Sequence, residues 1–165
     1  AGMSFVDFAH LKERNIKNGI LDYNRQKTGT PMRLEILDTA ELMRKELMGD
    51  KKPASGYLFP FLSGTKTGYE AYLEYNAALS RFNRNLKALK KAAGIASDVT
   101  SYTIRHSFAM ALKEQNVPIE MISELLGHKS IKTTQIYLRS FSLEKMTEVN
   151  STCFGCVYNY VSKVG

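Results

Sequence analysis

The sequence of 165 residues has no tryptophan, three histidines and only two cysteines. The cysteines, Cys153 and Cys156, form one isolated pair near the C-terminus, with no second pair and no nearby histidine to complete a tetrahedral metal site. We therefore expect reduced thiols, no bound metal and no cofactor. No apolar run approaches the roughly 18 residues that a membrane span needs. No signal peptide opens the chain, which favours a cytoplasmic protein without a membrane partner.

Acidic residues are also few, at 16 against 23 lysines and arginines, which gives a net charge of +7. The sequence pI is near 9.4. Such a balance favours a polyanionic partner, although many basic surfaces are merely solvated. The length fits one domain with a single core. Because the chain opens on Gly2-Met3-Ser4, inside an apparent structural element, we expect a fragment of a longer protein.

Apolar spacing and turn residues predict an α+β fold that is mainly helical, with a small antiparallel sheet on one side. Ser4 is a candidate N-cap for the first helix, with Asp7 placed as in a capping box. Two strands are predicted within residues 19–36, joined at residues 27–31. Further helices are predicted over residues 38–47, 69–93, 103–115, 118–126, 131–138 and 143–149. The domain is predicted to cover residues 1–150, followed by a tail at 151–165.

The long helix over residues 69–93 has two kinds of face. Its basic residues include Arg84 and Lys87, which belong either to a solvated face or to a surface that contacts phosphates. Its apolar residues follow a spacing of three and four, which predicts that they all lie in the core. These residues are Leu79, Phe82, Leu86, Leu89 and Ala93.

Three motifs follow one another in the C-terminal half of the chain. They are Tyr102-Thr103-Ile104-Arg105-His106-Ser107-Phe108-Ala109, Leu125-Leu126-Gly127-His128, and Thr133-Thr134-Gln135-Ile136-Tyr137. In this order and at these spacings they resemble the signature of the tyrosine recombinases and integrases of the phage type. The resemblance extends to the N-terminal run from Gly2 to Asp7 and to the hairpin around Lys27, so it covers about residues 2–150.

Phosphoryl transfer on DNA needs a hydroxyl nucleophile, cations around the transition state and a proton donor for the leaving oxygen. The resemblance implies that Tyr137 attacks the scissile phosphate and forms a 3′-phosphotyrosyl link. Arg105 offers a planar fork for two phosphate oxygens. By the same resemblance His128 donates a hydrogen bond to a non-bridging oxygen, and Lys27 protonates the departing 5′-oxygen.

The sequence departs from the family pattern at two positions. Tyr102 stands where many relatives carry a histidine that helps to activate the nucleophile, which leaves the general base open, because a phenol is a poor base at neutral pH. The adjacent His106 is turned about 100° from Arg105 on a helix, which favours a packing role. Ser4 stands where most relatives carry the first catalytic arginine. Asp7 fits the buried acid that supports the site, or else a plain first-turn acid.

The charge missing at Ser4 must come from another residue, either an arginine upstream of the fragment or a basic residue such as Arg33 or Lys12. A branch of integrases from bacterial conjugative transposons shares this serine and its surrounding residues, which makes such an element the predicted source.

The resemblance implies site-specific cleavage and rejoining of double-stranded DNA, by a homo-oligomer, expected to be a tetramer, in the full-length protein. Two alternatives remain at this point. One is a type IB topoisomerase or telomere resolvase, which shares the chemistry. The other is a non-catalytic DNA-binding module derived from an integrase, which would suit both departures.

Overall fold

The fold consists of α-helices and one three-stranded antiparallel sheet in a computed structural model that describes residues 2–48, 56–138 and 146–147. This confirms the predicted α+β class. The strands are β1 (Ile16–Lys17), β2 (Ile20–Asn24) and β3 (Pro31–Glu35), preceded by a 3-10 helix at Glu13–Asn15. The helices are α1 (Phe5–Ala9), α2 (Asp38–Met48), α3 (Gly68–Ala92), α4 (Ser101–Glu114), α5 (Ile119–Leu126) and α6 (Ile131–Tyr137).

The sheet contains one strand more than the sequence analysis predicted. The predicted hairpin is present as β2 and β3, which pair from Ile20 opposite Glu35 to the other end of β2. The additional strand β1 pairs with β2 through a turn at Asn18 and Gly19, whose φ angles are 52° and 74°. Asn-Gly between two apolar segments is the preferred sequence of a two-residue hairpin turn, because both residues tolerate positive φ.

Three apolar clusters form the core and join the sheet to the helices. The first packs α1 against α3 around Phe5, whose ring lies 4.7 Å from that of Phe82 between centroids. The second covers the sheet around Tyr23 and Met32. The third joins α4, α5 and α6, and its buried members are Ala109, Ile122, Leu126 and Leu138.

Two helices carry apolar residues outside this core. On α3, Leu79, Phe82 and Leu86 are partly buried, as predicted, whereas Leu89 is 64% exposed and Ala93 is also exposed. The prediction for the last turn of α3 was therefore wrong, because no described element packs against it there. On α2, both Leu42 and Met43 are exposed.

The helix ends follow the local sequence. Thr100 caps α4, where its hydroxyl accepts from the backbone N–H of Thr103 at 3.2 Å. Gly127 ends α5 with a φ of 60°, as its position after an apolar helix predicted.

Some predictions fall outside the described residues. These are most of the predicted helix 143–149, the tail 151–165 and both cysteines. Within the described residues, no group of three or more histidine, cysteine, aspartate or glutamate side chains could hold a metal ion. None of the helices described is long and apolar enough to cross a membrane.

Candidate active site

Five elements bring the predicted chemical groups together around the C-terminal end of α5. Asp7 comes from α1, Arg105 from α4 and Tyr137 from α6, while His128 follows directly after α5. The turn between β2 and β3 adds Arg25, which the sequence analysis did not single out. Because these residues are far apart in the sequence, the cluster exists only in the folded chain.

Arg105 is held by backbone oxygens. Its side chain is 7% exposed and donates from Nη1 to the Gly2 carbonyl at 2.6 Å and from Nη2 to the Leu126 carbonyl at 2.5 Å. Burial, and then the charge of Arg25, lower the pKa of Arg105, although a guanidinium stays protonated. Arg105 has no ion pair with any carboxylate in the described part of the chain. Carbonyl oxygens therefore stabilise this buried cation, and its charge remains open to pairing with a bound anion.

His128 lies between Arg105 and the helix of Tyr137. Its Nε2 lies 3.3 Å from Arg105 Nη2, and its Nδ1 lies 2.9 Å from Thr134 Oγ1. Because a guanidinium can only donate, Nε2 must accept, and the ring proton resides on Nδ1 and is donated to Thr134. Burial, and then the charges of Arg105 and Arg25, lower the pKa of His128 to about 4. His128 is therefore neutral at pH 7, with Nε2 acting as an acceptor.

Tyr137 ends α6, and three rings lie edge-on around its own ring. The centroid distances are 5.0 Å to His106, 5.7 Å to Tyr102 and 6.0 Å to His128. The Tyr137 hydroxyl is buried, and it has no hydrogen-bond partner among the described residues. Burial, and then the nearby Tyr102 phenol, raise the pKa of Tyr137 to about 12. Ionisation of Tyr137 therefore requires a base or a change in its surroundings.

Two of these rings belong to residues for which the sequence analysis made specific predictions. Tyr102 is 63% exposed and its edge faces the nucleophile candidate. His106 packs against the Tyr137 ring, in agreement with the packing role that helical geometry predicted.

Asp7 is the buried carboxylate of the cluster, and it accepts three hydrogen bonds. It is 2% exposed and accepts from Ser4 Oγ at 2.5 Å, from the Gln26 N–H at 2.7 Å and from Arg25 Nε at 3.3 Å. Ser4 is the N-cap residue of α1, as predicted, but the predicted capping box is absent because the Ser4 hydroxyl donates to Asp7. Ser4 thus orients Asp7 and is not available to bind a ligand with that proton.

Arg25 is the functional candidate that sequence reasoning missed. Its side chain is 7% exposed, and its Nη1 donates to the Gly127 carbonyl at 2.8 Å. Gly127 makes room for it, since a Cβ there would lie 2.5 Å from Arg25 Cδ. The available signal was its place at the strand end beside Lys27, but nothing local distinguishes it from an ordinary exposed turn arginine.

The remaining predicted site residues lie outside this hydrogen-bonded cluster. Lys27 is exposed at the turn between β2 and β3, two residues after Arg25. Arg84 and Lys87 are exposed on α3. Of the two proposed sources of extra charge, Arg33 is exposed on β3 and Lys12 lies over the Tyr57 ring at 5.0 Å.

The sequence pattern of the phage integrase family matches residues 2–144, and the chain belongs to this family. Curated relatives include tyrosine recombinase XerD of Lacticaseibacillus casei, which is 52% identical over 54 residues, or 33% of this chain and 18% of that protein. Tyrosine recombinase XerC of Rickettsia typhi is 41% identical over 75 residues, or 46% of this chain and 24% of that protein. The match therefore covers only a part of each relative.

Solved structures of recombinases have the same fold. The crystal structure of XerA recombinase superposes with a TM-score of 0.67 at 23% identity, over 92% of this chain and 53% of that chain. The Tn1549 transposon integrase in complex with a circular intermediate DNA gives a TM-score of 0.62 at 16% identity, over 91% of this chain and 55% of that chain. The chain thus spans about half of these proteins. These matches do not favour the topoisomerase or the non-catalytic alternative.

Proposed function

We propose that this chain is the catalytic domain of a tyrosine site-specific recombinase that cleaves and rejoins double-stranded DNA. The observation that carries the proposal is the convergence of Arg105, His128 and Tyr137 at the end of α5 in a chain of the phage integrase family. A buried cation without a carboxylate partner, beside an imidazole and a phenol, suits a phosphodiester.

In the proposed reaction the Tyr137 hydroxyl gives up its proton to water as its oxygen attacks the scissile phosphorus. The bond from this oxygen to phosphorus forms as the bond from phosphorus to the 5′-oxygen breaks. The 5′-oxygen leaves with a proton from Lys27, which the exposed turn allows to move. Arg105 stabilises the charge on the non-bridging oxygens. Rejoining is the reverse of these steps, and the phosphotyrosine conserves the bond energy between them.

The proposed role of His128 requires a change of its hydrogen bonds. In the present arrangement Nε2 accepts from Arg105, so it cannot donate to a phosphate oxygen. A bound phosphate would draw the Arg105 guanidinium towards itself and favour protonation of His128, since nearby negative charge raises the pKa of an imidazole. His128 then donates from Nε2 while Nδ1 still donates to Thr134.

The nucleophile must also change its surroundings. The Tyr137 hydroxyl is buried with a raised pKa, so DNA binding has to expose it and bring positive charge near it. In this proposal the exposed Tyr102, at the position of the family's histidine, donates a hydrogen bond to a phosphate oxygen, and Asp7, oriented by Ser4, supports the site.

We propose double-stranded DNA as the partner, contacted by Arg84 and Lys87 on α3 and bound by a homotetramer of the full-length protein. The Tn1549 transposon integrase was solved in complex with DNA, which supports this partner. We further propose a cytoplasmic location, an origin in a conjugative transposon, and a domain at residues 1–150 preceded by a DNA-binding domain in the full-length protein.

Covalent capture tests the proposed function. Full-length protein is incubated with a random-sequence duplex library that carries a central nick, so that the short cleaved strand diffuses away and the protein remains attached. The proposal predicts protein–DNA complexes that survive denaturing electrophoresis with wild type and are absent with Tyr137→Phe. Sequence-selective binding by wild type without any covalent complex would instead show a non-catalytic module.

A further inference from the structure

Two buried guanidinium groups face a single buried carboxylate in the cluster around the end of α5. Arg25 and Arg105 are each 7% exposed, and Asp7 is the buried acid that contacts one of them. The neighbouring His128 is neutral at pH 7, since its pKa is about 4, so it adds no further positive charge. Burial of excess positive charge is costly, so the pocket is arranged for an incoming anion.

The two guanidinium groups are held by successive carbonyls of one turn. Arg105 Nη2 donates to the Leu126 carbonyl and Arg25 Nη1 donates to the Gly127 carbonyl. The C-terminal end of a helix carries partial negative charge, which stabilises both cations while no anion is bound. Both cations therefore contact the same turn, and Arg105 Nη2 also lies 3.3 Å from His128 Nε2.

Arg25 has a donor that remains available. Its Nε donates to Asp7 and its Nη1 to Gly127, while its Nη2 makes no hydrogen bond to any described residue. Asp7 and Gly127 thus fix the orientation of the side chain from two sides and leave one edge of the fork for a ligand. The turn between β2 and β3 also carries the exposed Lys27, two residues after Arg25, so it supplies one buried and one exposed cation.

Building on the proposed function, we propose that Arg25 supplies the charge that is missing at Ser4 and contacts a non-bridging oxygen of the scissile phosphate together with Arg105. The cation then reaches the phosphate from the turn between β2 and β3, whereas Ser4, which donates to the same Asp7 oxygen as Arg25, only orients that carboxylate. Arg33 and Lys12, the two residues of this chain that sequence alone suggested, lack this position.

The test compares single-turnover cleavage of the captured duplex by full-length variants. We expect Arg25→Ala and Arg105→Ala each to slow cleavage at least about a hundredfold, the usual effect of removing a well-placed transition-state donor. Arg33→Ala tests the other arginine that the sequence suggested as the source of the missing charge. Arg44→Ala is the matched control, since Arg44 pairs with Glu41 on the surface of α2. Both should cleave within about threefold of wild type.

A second substrate separates charge stabilisation from a structural role. A methylphosphonate at the scissile position carries no negative charge, so it has little need of an arginine. Arg25→Ala should therefore cleave it within about tenfold of wild type. A similar loss on both substrates, or a rate for Arg25→Ala near that of wild type on the ordinary duplex, would overturn the inference.

Two further variants keep the inference testable if Arg25→Ala does not fold. Arg25→Lys retains charge without the fork and should give an intermediate loss that the methylphosphonate also relieves. Ser4→Arg combined with Arg25→Lys should regain activity if position 4 can supply the same charge, and no gain would count against the inference. If wild type forms no covalent complex, the proposed function itself fails, which is distinct from failure of Arg25 alone.

Discussion

At the scale of single residues, neither Tyr137 nor His128 has the protonation state that the proposed reaction needs. The Tyr137 hydroxyl is buried without a partner in the described part of the chain, and its pKa is about 12. The His128 ring accepts from Arg105 and remains neutral. Negative charge from a phosphate favours protonation of His128 but opposes ionisation of Tyr137, so in this account the nucleophile also needs exposure and nearby positive charge when DNA binds.

The lowered pKa of His128 makes folding sensitive to acid. An unfolded chain takes up this proton near pH 6.5, whereas the folded chain does so only near pH 4. Between these values the unfolded state binds more protons, so the contribution of His128 to stability is complete above pH 6.5 and is lost as the pH falls towards 4.

Urea unfolding at several pH values from 7.5 to 4.5, in wild type and in His128→Asn, measures this effect. We expect the unfolding free energy of wild type to fall more steeply below pH 6.5 than that of the variant, which cannot titrate there. Parallel curves would contradict the assigned neutral state of His128.

Lys27 provides a second prediction at this scale. Its proposed task is only to protonate the leaving 5′-oxygen, so Lys27→Ala should slow cleavage at least about a hundredfold. A 5′-bridging phosphorothiolate leaves as a thiolate that needs little acid assistance, and it should restore cleavage by this variant. Arg105→Ala is the control that the sulfur should not rescue, because Arg105 acts on the non-bridging oxygens. Equal rescue of both variants, or of neither, would remove the acid role from Lys27.

At the scale of elements, the turn at Gly127 joins the end of α5 to the site. Gly127 has a φ of 60°, and a Cβ there would lie 2.5 Å from Arg25 Cδ and from Met32 Sδ. An alanine therefore meets both backbone strain and crowding by two buried side chains.

Gly127→Ala should lower the free energy of unfolding by about 2 to 5 kcal/mol, the sum of left-handed strain and overpacking. Gly94→Ala is the matched control, because Gly94 also follows a helix with a φ of 66° but has open space around it. Its loss should be only about 1 to 2 kcal/mol. Equal losses in denaturant titrations would show that crowding at Gly127 is unimportant.

Sequence patterns predicted the helices and strands better than they predicted which elements pack or pair with one another. The spacing on α3 and the punctuation by Gly127 predicted these helices closely, because local periodicity and turn residues determine them. Strand β1 was missed although Asn18-Gly19 signals its turn, since two residues show no alternation. Leu89 was wrongly placed in the core, because periodicity alone does not show where a neighbouring element ends.

The candidate site was predictable where a motif exists and not elsewhere. Arg105, His128 and Tyr137 lie together as the motifs implied. Arg25 could not be recognised, because its burial depends on the Gly127 carbonyl, which is 102 residues away in the sequence. The catalytic roles of all these residues stay predictions until they are measured.

At the scale of the whole molecule, the net charge of +7 has to be distinguished from a specific DNA surface. If α3 contacts phosphates, affinity for DNA should fall steeply with salt, because each contact releases a counterion. Reversal of both Arg84 and Lys87 to glutamate should reduce the slope of log affinity against log salt by about 2.

The control reverses Lys17 and Lys45, which are exposed on β1 and α2 and change the net charge equally. We expect it to leave the slope nearly unchanged in fluorescence anisotropy titrations with the full-length protein. The same slope change in both double variants would mean that total charge matters and that α3 is an ordinary solvated face.

The central claim is that Tyr137 is the nucleophile, and its exposed neighbour Tyr102 is the strongest rival. The two lie on different tryptic peptides, residues 133–139 and 92–105. The direct measurement is mass spectrometry of the covalent complex after nuclease trimming and trypsin digestion. The account predicts that the phosphonucleotide is attached to the peptide with Tyr137, and that Tyr102→Phe still forms this adduct. Attachment to Tyr102, or to any residue other than Tyr137, would contradict it.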